Sequence, residues 1–262
     1  MKLSVIIPSY KDPFLHKTID SLLDNSGLGD DLEIIVVLDA YWPKDIIRND
    51  KRIKIVHHGI NTGMRGAIND GVRVASGEYI MRVDEHNMFD RGYDVKLLAN
   101  IEDNWIVTPR RYFLDPVKWE RMDFPPVDFQ RLIVAGAGSR KKFAGVSWKQ
   151  RDEEWKDIMV GETMAMQGSC WIMKKSWWDK VIVELQSEGY GTHYQDSVEM
   201  VFKTWQAGGK LILNKNTWHA HKHRSFKRTH SYPGDLADAS FKYALDTWGE
   251  YYYNVIRPRF SI

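Results

Sequence analysis

The residues best placed for chemistry in this chain form one short run, Asp84, Glu85 and His86, directly after a strand-forming stretch at 78–83. Tyr79, Ile80, Met81 and Val83 give that stretch its apolar, β-favouring character. Strand alternation puts Asp84 and His86 on one side and Glu85 on the other. A carboxylate and an imidazole on one side of a strand end make half of a divalent-cation site. In isolation, a D-x-H is more simply a polar turn closing a buried strand. Partners for it stand far along the chain. His219, His221 and His223 alternate within a basic segment at 219–228, so an extended backbone turns all three to one side. One of them could complete the site; a histidine-rich solvated loop is the alternative.

These groups need a scaffold, and the first half of the chain reads as one. Residues 3–7 form a short apolar run ended by Pro8 and Ser9. Residues 13–23 carry Phe14, Leu15, Ile19, Leu22 and Leu23 at helical spacing, with Asp12 as the expected N-cap. Strands are predicted at 32–38, 53–56 and 78–83, with a further one at 105–107, and a helix at 63–75. Strands alternating with helices imply a parallel α/β sheet covered on both faces. Ligands bind at the carboxyl ends of the strands in such sheets, so Ser9, Asp39 and Asp84 should converge on one crevice.

Residues 109–161 break the pattern. They are rich in Arg, Lys, Pro and aromatics, lack periodicity, and read as long excursions over the sheet edge that shape a cleft. Order returns with a strand at 169–173, a helix at 175–186, a helix at 196–206 opened by Asp196, and a strand at 210–213.

With 262 residues, the chain should be one large domain or two closely joined halves. Lys and Arg (37) nearly balance Asp and Glu (35), so net charge alone calls for no acidic partner. The single cysteine, Cys170, excludes an intramolecular disulfide and suits a reducing cytoplasm. No apolar run approaches the roughly 18 residues of a membrane span, and the first residues do not read as a signal peptide. A cytoplasmic protein without a membrane span is therefore expected. Eleven Trp and twelve Tyr are enough for some to line a binding surface.

Three segments of the N-terminal half, SVIIPSYKD, IIVVLDA and NTGMRGAINDGVRVASGEYIMRVDEH, resemble family 2-type glycosyltransferases of the nucleotide-sugar-binding GT-A fold. QGSCWIMKK and YQDSVEMVFKTWQAGGKLILNKNTWHAHKHR resemble the catalytic domain of polypeptide N-acetylgalactosaminyltransferases, which also carry D-x-H. The resemblance implies that Asp84 and His86 are the metal-binding pair and His221 the third ligand, of Mn²⁺ or Mg²⁺. It implies that Pro8, Ser9 and Tyr10 surround the nucleoside, that Asp39 bonds the nucleobase, and that Arg65 faces the diphosphate. It places Asp196 on the acceptor side, as general base in inverting relatives and as a sugar- or acceptor-binding group in retaining ones. Two positions depart from the pattern: Glu85, where a small residue is usual, and Gln195, where an acidic one is usual. The sequence as read shows no anchor, no lectin domain and a single cysteine, so the polypeptide acceptor of the Golgi enzymes is not expected to carry over.

The resulting expectation is one GT-A domain at 1–230, divided into a nucleotide-sugar half (1–108), a variable segment (109–161) and an acceptor-side half (162–230), with a helical tail at 231–262. It should move a hexose or N-acetylhexosamine from a nucleoside diphosphate donor, a UDP-sugar, to a hydroxyl on a glycan, protein or nucleic acid. The aromatics and the basic residues Arg224, Lys227 and Arg228 also suit gripping single bases. That makes hydroxylated bases in DNA an alternative acceptor. A nucleotide-sugar-binding module without turnover, and a nucleotidyltransferase, are the remaining alternatives. The latter normally opens with a Gly-rich, Lys-containing loop, and IIPSYKD lacks its glycines.

Overall fold

The computed structural model describes residues 2–227 and 234–262. In chain order its elements are β1 (Leu3–Ser9), α1 (Leu15–Asn25), β2 (Leu32–Asp39), β3 (Ile53–His58), α2 (Gly63–Val74), β4 (Tyr79–Val83), β5 (Asn87–Phe89) and α3 (Tyr93–Leu98). They continue with β6 (Trp105–Asp115), β7 (Glu120–Arg121), β8 (Gln130–Ala135), β9 (Lys142–Ser147), α4 (Lys149–Glu154) and β10 (Val160–Glu162). The last are β11 (Cys170–Lys174), α5 (Lys175–Trp177), α6 (Asp196–Gln206), β12 (Lys210–Lys222) and α7 (Gly234–Tyr251).

The main sheet runs β10-β12-β6-β11-β4-β1-β2-β3. Strands β3, β2, β1, β4, β6 and β12 point one way, and β11 and β10 the other. This is the mostly parallel GT-A sheet. Helices cover both of its faces. Every residue of β2 and β4 is buried, which is why these strands read as mainly apolar runs instead of alternating ones, interrupted only by buried Glu33, Asp39 and Arg82. Ile6, Ile35, Val37 and Ile80 pack with Ala67, Ile68 and Val72 of α2. Val5, Ile7, Ile34 and Met81 pack on the opposite side with Leu15, Ile19 and Leu22 of α1 and with Tyr93 and Leu97 of α3. β1 lies between β2 and β4, so successive connections leave it in opposite directions and open a crevice at the strand ends. Ser9, Asp39 and Asp84 all stand at that crevice.

Several sequence expectations change. Asp12 does not cap α1: the helix starts at Leu15, and Asp12 Oδ1 instead accepts the Phe14 N–H at 2.9 Å. The helix expected at 175–186 is a single α turn followed by a π turn at Trp178–Ile182, closed by Val183 at φ +62°. Two buried indoles, Trp177 and Trp178, fix this tighter path, and Trp178 Nε1 donates to the Val183 carbonyl at 3.1 Å.

The 109–161 segment is more regular than its composition suggests. β6 continues to Asp115, β8 and β9 form a hairpin, and α4 follows. β6 beyond Pro109 is half-buried on both faces, which erases the alternation that would have marked it. Strand β12 likewise runs to Lys222, far beyond the expected 210–213. Its register against β6 breaks between Asn214 and Trp218, opposite Pro109, which has no N–H to give the ladder. The extra residues re-aim the second half of β12. They seat His219 beside Phe89 and His221 beside Asn87 in the short strand that follows the D-x-H run.

The C-terminal helix joins the same core. Ala244, Trp248, Tyr252, Ile256 and Phe260 pack with α6 residues including Val198, Phe202 and Trp205. The Trp248 ring stacks on Phe202 at 5.2 Å, and its indole N–H donates to the Tyr190 hydroxyl at 2.6 Å. Among the described residues no helix is long and apolar enough to cross a membrane. Trp248→Ala removes a buried aromatic at this junction and should cost about 3–5 kcal/mol. Urea denaturation checks this; an unchanged midpoint would show that the helix adds little to the domain.

Candidate active site

Two strand segments far apart in sequence build the centre. Asp84 follows β4, and its N–H donates to the Ser169 carbonyl at 3.0 Å. Asn87 opens β5 opposite His221 of β12, and the Lys222 N–H donates to the His86 carbonyl at 3.2 Å. The ladder therefore sets the two imidazoles side by side. His86 Nε2 and His221 Nε2 are 3.0 Å apart. Asp84 Oδ2 is 3.1 Å from His221 Nε2 and 4.0 Å from His86 Nε2.

Protonation is fixed by the surroundings. His86 Nδ1 faces Asp12 Oδ2 at 3.1 Å, so Nδ1 carries the proton and Nε2 presents a lone pair. Burial lowers the His221 pKa to about 4, with the Arg111 cation adding to the effect against the raising influence of Asp84. His221 is thus neutral at pH 7. Burial pushes the Asp84 carboxyl up, but Arg82, the His221 hydrogen bond and the two imidazoles outweigh it and hold Asp84 well below the usual carboxylate range. Arg82 Nη2 lies 2.6 Å from Asp84 Oδ1.

These three groups fit a divalent cation. Neighbouring ligands of an octahedral ion at about 2.1 Å stand about 3.0 Å apart, close to the two shorter separations here, 3.0 and 3.1 Å. One carboxylate oxygen and two imidazole nitrogens suit a borderline ion such as Mn²⁺. Asp12 supplies the outer-shell bond that orients His86.

Glu85 stands with Asp84 and His86 in the turn between β4 and β5 and lines the same cavity. Its carboxylate accepts the Tyr10 N–H at 3.1 Å and bonds the Ser9 hydroxyl. It thereby holds the loop after β1 against the site. Burial raises the Glu85 pKa to about 8, reinforced by the nearby charges of Asp12 and Asp84.

The triad opens on a cavity of about 810 Å³, lined also by Pro8, Ser9, Tyr10, Asp39 and Asp196. Asp39 is 2% exposed. Its Oδ1 accepts from His58 Nδ1 at 3.0 Å and Thr62 N at 2.8 Å, and its Oδ2 from Gly63 N at 2.8 Å. Asp39 therefore anchors the start of α2 as well as lining the cavity.

Asp196 is the first residue of α6, and Gln195 before it sits in the left-handed region at φ +58°. Asp196 is 8% exposed, and its Oδ2 is buried without a hydrogen-bond partner.

Arg65 departs from expectation. It does not line the cavity and is 0% exposed. It pairs with Glu199, donates to the carbonyls of Tyr194 (2.6 Å) and Gln186 (3.0 Å), and lies 4.3 Å from the Tyr190 ring centroid. The Arg65 N–H donates to the Thr192 carbonyl at 3.1 Å. A Cβ on Gly63 (φ +76°) would stand 2.5 Å from Thr192 Cβ, so only glycine allows this close docking. Arg65 is a buried strut holding the loop that leads into Asp196, not a group facing a diphosphate.

The sequence pattern of glycosyl transferase family 2 matches residues 4–182, more than half of the chain. The chain belongs to glycosyl transferase family 2. An uncharacterized glycosyltransferase EpsJ of Bacillus subtilis is 33% identical over 108 residues, covering 38% of this chain and 30% of its own length. Mouse polypeptide N-acetylgalactosaminyltransferase 4 is 24% identical over 267 aligned residues, covering 96% of this chain and 45% of its own. This family 2 chain thus spans less than half the length of these curated relatives. Its fold matches the crystal structure of GalNAc-T7 with UDP, GalNAc and Mn²⁺ at a TM-score of 0.75 and 16% identity, over 98% of this chain and 50% of that one. It matches S. aureus TarS in complex with UDP-GlcNAc at a TM-score of 0.61 and 14% identity, over 95% and 67%.

The buried groups of this family 2 site give two expectations. A folded-state pKa near 8 for Glu85 makes the folded protein bind more protons than the unfolded chain between pH 4.5 and 8. Its contribution is therefore favourable below that window and is lost as pH rises through 8. The melting temperature of Glu85→Gln relative to wild type should rise steadily from pH 6 to 9; a pH-independent difference would contradict it. Arg65→Met removes one of the two cations on buried Glu199, leaving Lys203 at 2.7 Å, and strips the donors from the Tyr194 and Gln186 carbonyls; it should lower stability by about 1–3 kcal/mol. A stable variant that loses only nucleotide affinity would return Arg65 to the donor site.

Proposed function

We infer that this chain is a metal-dependent glycosyltransferase that moves a hexose or N-acetylhexosamine from a UDP-sugar to an acceptor hydroxyl. The observation that carries the reading is the meeting, in one cavity, of three convergent metal-ligand atoms with a buried carboxylate oxygen, Asp196 Oδ2, that has no hydrogen-bond partner among the described residues. Two solved proteins of the same fold support the donor class, GalNAc-T7 with UDP, GalNAc and Mn²⁺ and TarS with UDP-GlcNAc.

In this reading Pro8, Ser9 and Tyr10 flank the nucleoside, with Glu85 fixing the loop that carries them. Asp39 faces the base from the end of β2. Asp84, His86 and His221 would hold Mn²⁺ or Mg²⁺, which would supply Lewis-acid neutralisation of the charge on the leaving diphosphate. The bond from the anomeric carbon to the phosphate oxygen breaks as the acceptor oxygen bonds that carbon. Asp196 accepts a hydrogen bond from the acceptor hydroxyl or the transferred sugar. An inverting reaction also sends the hydroxyl proton to Asp196; in a retaining one the leaving phosphate takes it. The resemblance to polypeptide N-acetylgalactosaminyltransferases favours retention. Residues 1–230 and the C-terminal helix act as one catalytic unit, with the β8–β9 hairpin on the acceptor side.

A nucleic-acid acceptor, such as a hydroxylated base in DNA, is the second reading, and the cavity rim favours it. Phe113 and Phe124 lie 4.9 and 5.6 Å from the His223 ring, and Arg224 is exposed beside them on the cavity lining. Arg228 of the basic segment lies outside the described residues. Acceptor binding that weakens steeply with salt would support this reading over a glycan or protein.

A donor screen with Mn²⁺, following UDP release by slow hydrolysis, tests the function without an acceptor. Excess chelator and Asp84→Asn should each abolish release; full activity in chelator would exclude the metal role. Asp196→Asn should lower kcat by about 10²–10⁴-fold, with melting temperature and UDP affinity unchanged. Wild-type turnover in that variant would remove Asp196 from the chemistry. NMR of the product's anomeric configuration separates retention from inversion.

A further inference from the structure

We propose that Arg111, to which no role has been assigned above, is a donor-phosphate-binding residue that works beside the metal triad. Arg111 lies on β6 opposite His219 of β12, and Phe113 lies opposite His221. In parallel strands such partners share a face, so Arg111 occupies the same side of the sheet as the proposed metal ligand His221. Its guanidinium carbon stands 5.2 Å from the Phe113 ring centroid and the residue lines the cavity.

What sets Arg111 apart is its lack of a counter-charge. The cavity has three other Lys or Arg side chains among the described residues. Arg82 is paired with Asp84 at 2.6 Å. Lys222 Nζ is 3.9 Å from Asp12 and 5.5 Å from the Phe14 ring centroid. Arg224 is solvent-exposed. Arg111 has no carboxylate within ion-pair distance among the described residues, and its Nε is buried with no hydrogen-bond partner. Burial alone lowers its pKa to about 10, with no acidic group opposing the effect.

A desolvated cation is stable only when something neutralises it. A guanidinium's planar fork of donors matches two phosphate oxygens at once. The triad contributes a single carboxylate, Asp84, and Arg82 already offsets it. A donor diphosphate entering beside His221 would supply the counter-charge that Arg111 lacks. Of the cavity's carboxylates, Asp12, Asp39, Asp84, Glu85 and Asp196, none lies within ion-pair distance of Arg111.

The proposal rests on the donor reading above, and the test separates the two. Titration calorimetry with Mn²⁺ compares UDP, uridine and inorganic pyrophosphate on wild type, Arg111→Met and Arg111→Lys. Arg111→Met should lose about 10- to 100-fold in affinity for UDP and for pyrophosphate, the range of a charge-assisted bond. Its affinity for uridine and its melting temperature should not change. Arg111→Lys keeps the charge without the fork and should fall between the two; it also serves if the Met variant does not fold. Equal UDP and pyrophosphate binding by wild type and Arg111→Met overturns the proposal. So does a matching loss for uridine, which would mark a structural role, or an effect confined to acceptor KM. Pyrophosphate binding that depends on Arg111 without UDP binding would leave the proposal standing and remove the uridine donor. Wild type that binds neither removes both.

Discussion

Two imidazole nitrogens and a carboxylate oxygen held within 4.0 Å of one another are the constraint around which this molecule is arranged. Lone pairs aimed at one point repel unless a cation stands between them, so the fold must hold the three groups in place. Asp12 does this for His86 by fixing its tautomer, and Arg82 does it for Asp84 by ion pairing. His221 is held by its strand. Burial keeps it neutral, which is the form that can ligate.

Backbone pairing delivers the geometry. Asp84 and His221 are 137 residues apart in sequence, yet β5 and β12 are adjacent strands and their ladder sets His86 next to His221. The ladder depends on the register break in β12 opposite Pro109. A proline in a strand removes one ladder bond, and here the irregularity falls where the chain must be re-aimed at the site. On the opposite wall, Arg65 and Glu199 tie α2 to α6 and to the loop before Asp196. The cavity thus has two rigid walls: a strand wall bearing the triad, and a helix wall bearing Asp196.

Much of this was legible from residue patterns. Buried parallel strands read as apolar runs, and the residue that ends each one marked the crevice: Ser9, Asp39 and Asp84. What was not legible depended on tertiary partners. Arg65 looked like a surface helix charge facing a ligand because Glu199, its buried counter-ion, is 134 residues away. Asp12 looked like a helix cap because its second oxygen's partner, His86, is 74 residues away. β6 beyond Pro109 looked irregular because half-burial on both faces leaves no periodic signal. Arg111 gave no sign at all, since a missing counter-ion cannot be read from a single sequence.

The central claim, that Asp84, His86 and His221 together hold a divalent ion, is tested most directly by pulsed EPR on the protein with stoichiometric Mn²⁺. Nitrogen-14 modulation from two imidazoles is expected in the wild type, from one in His221→Ala, and from none when His86 is also replaced. Adding UDP should introduce phosphorus-31 coupling at the same ion. A Mn²⁺ signal without nitrogen coupling, or coupling that persists unchanged in the double variant, would contradict the account.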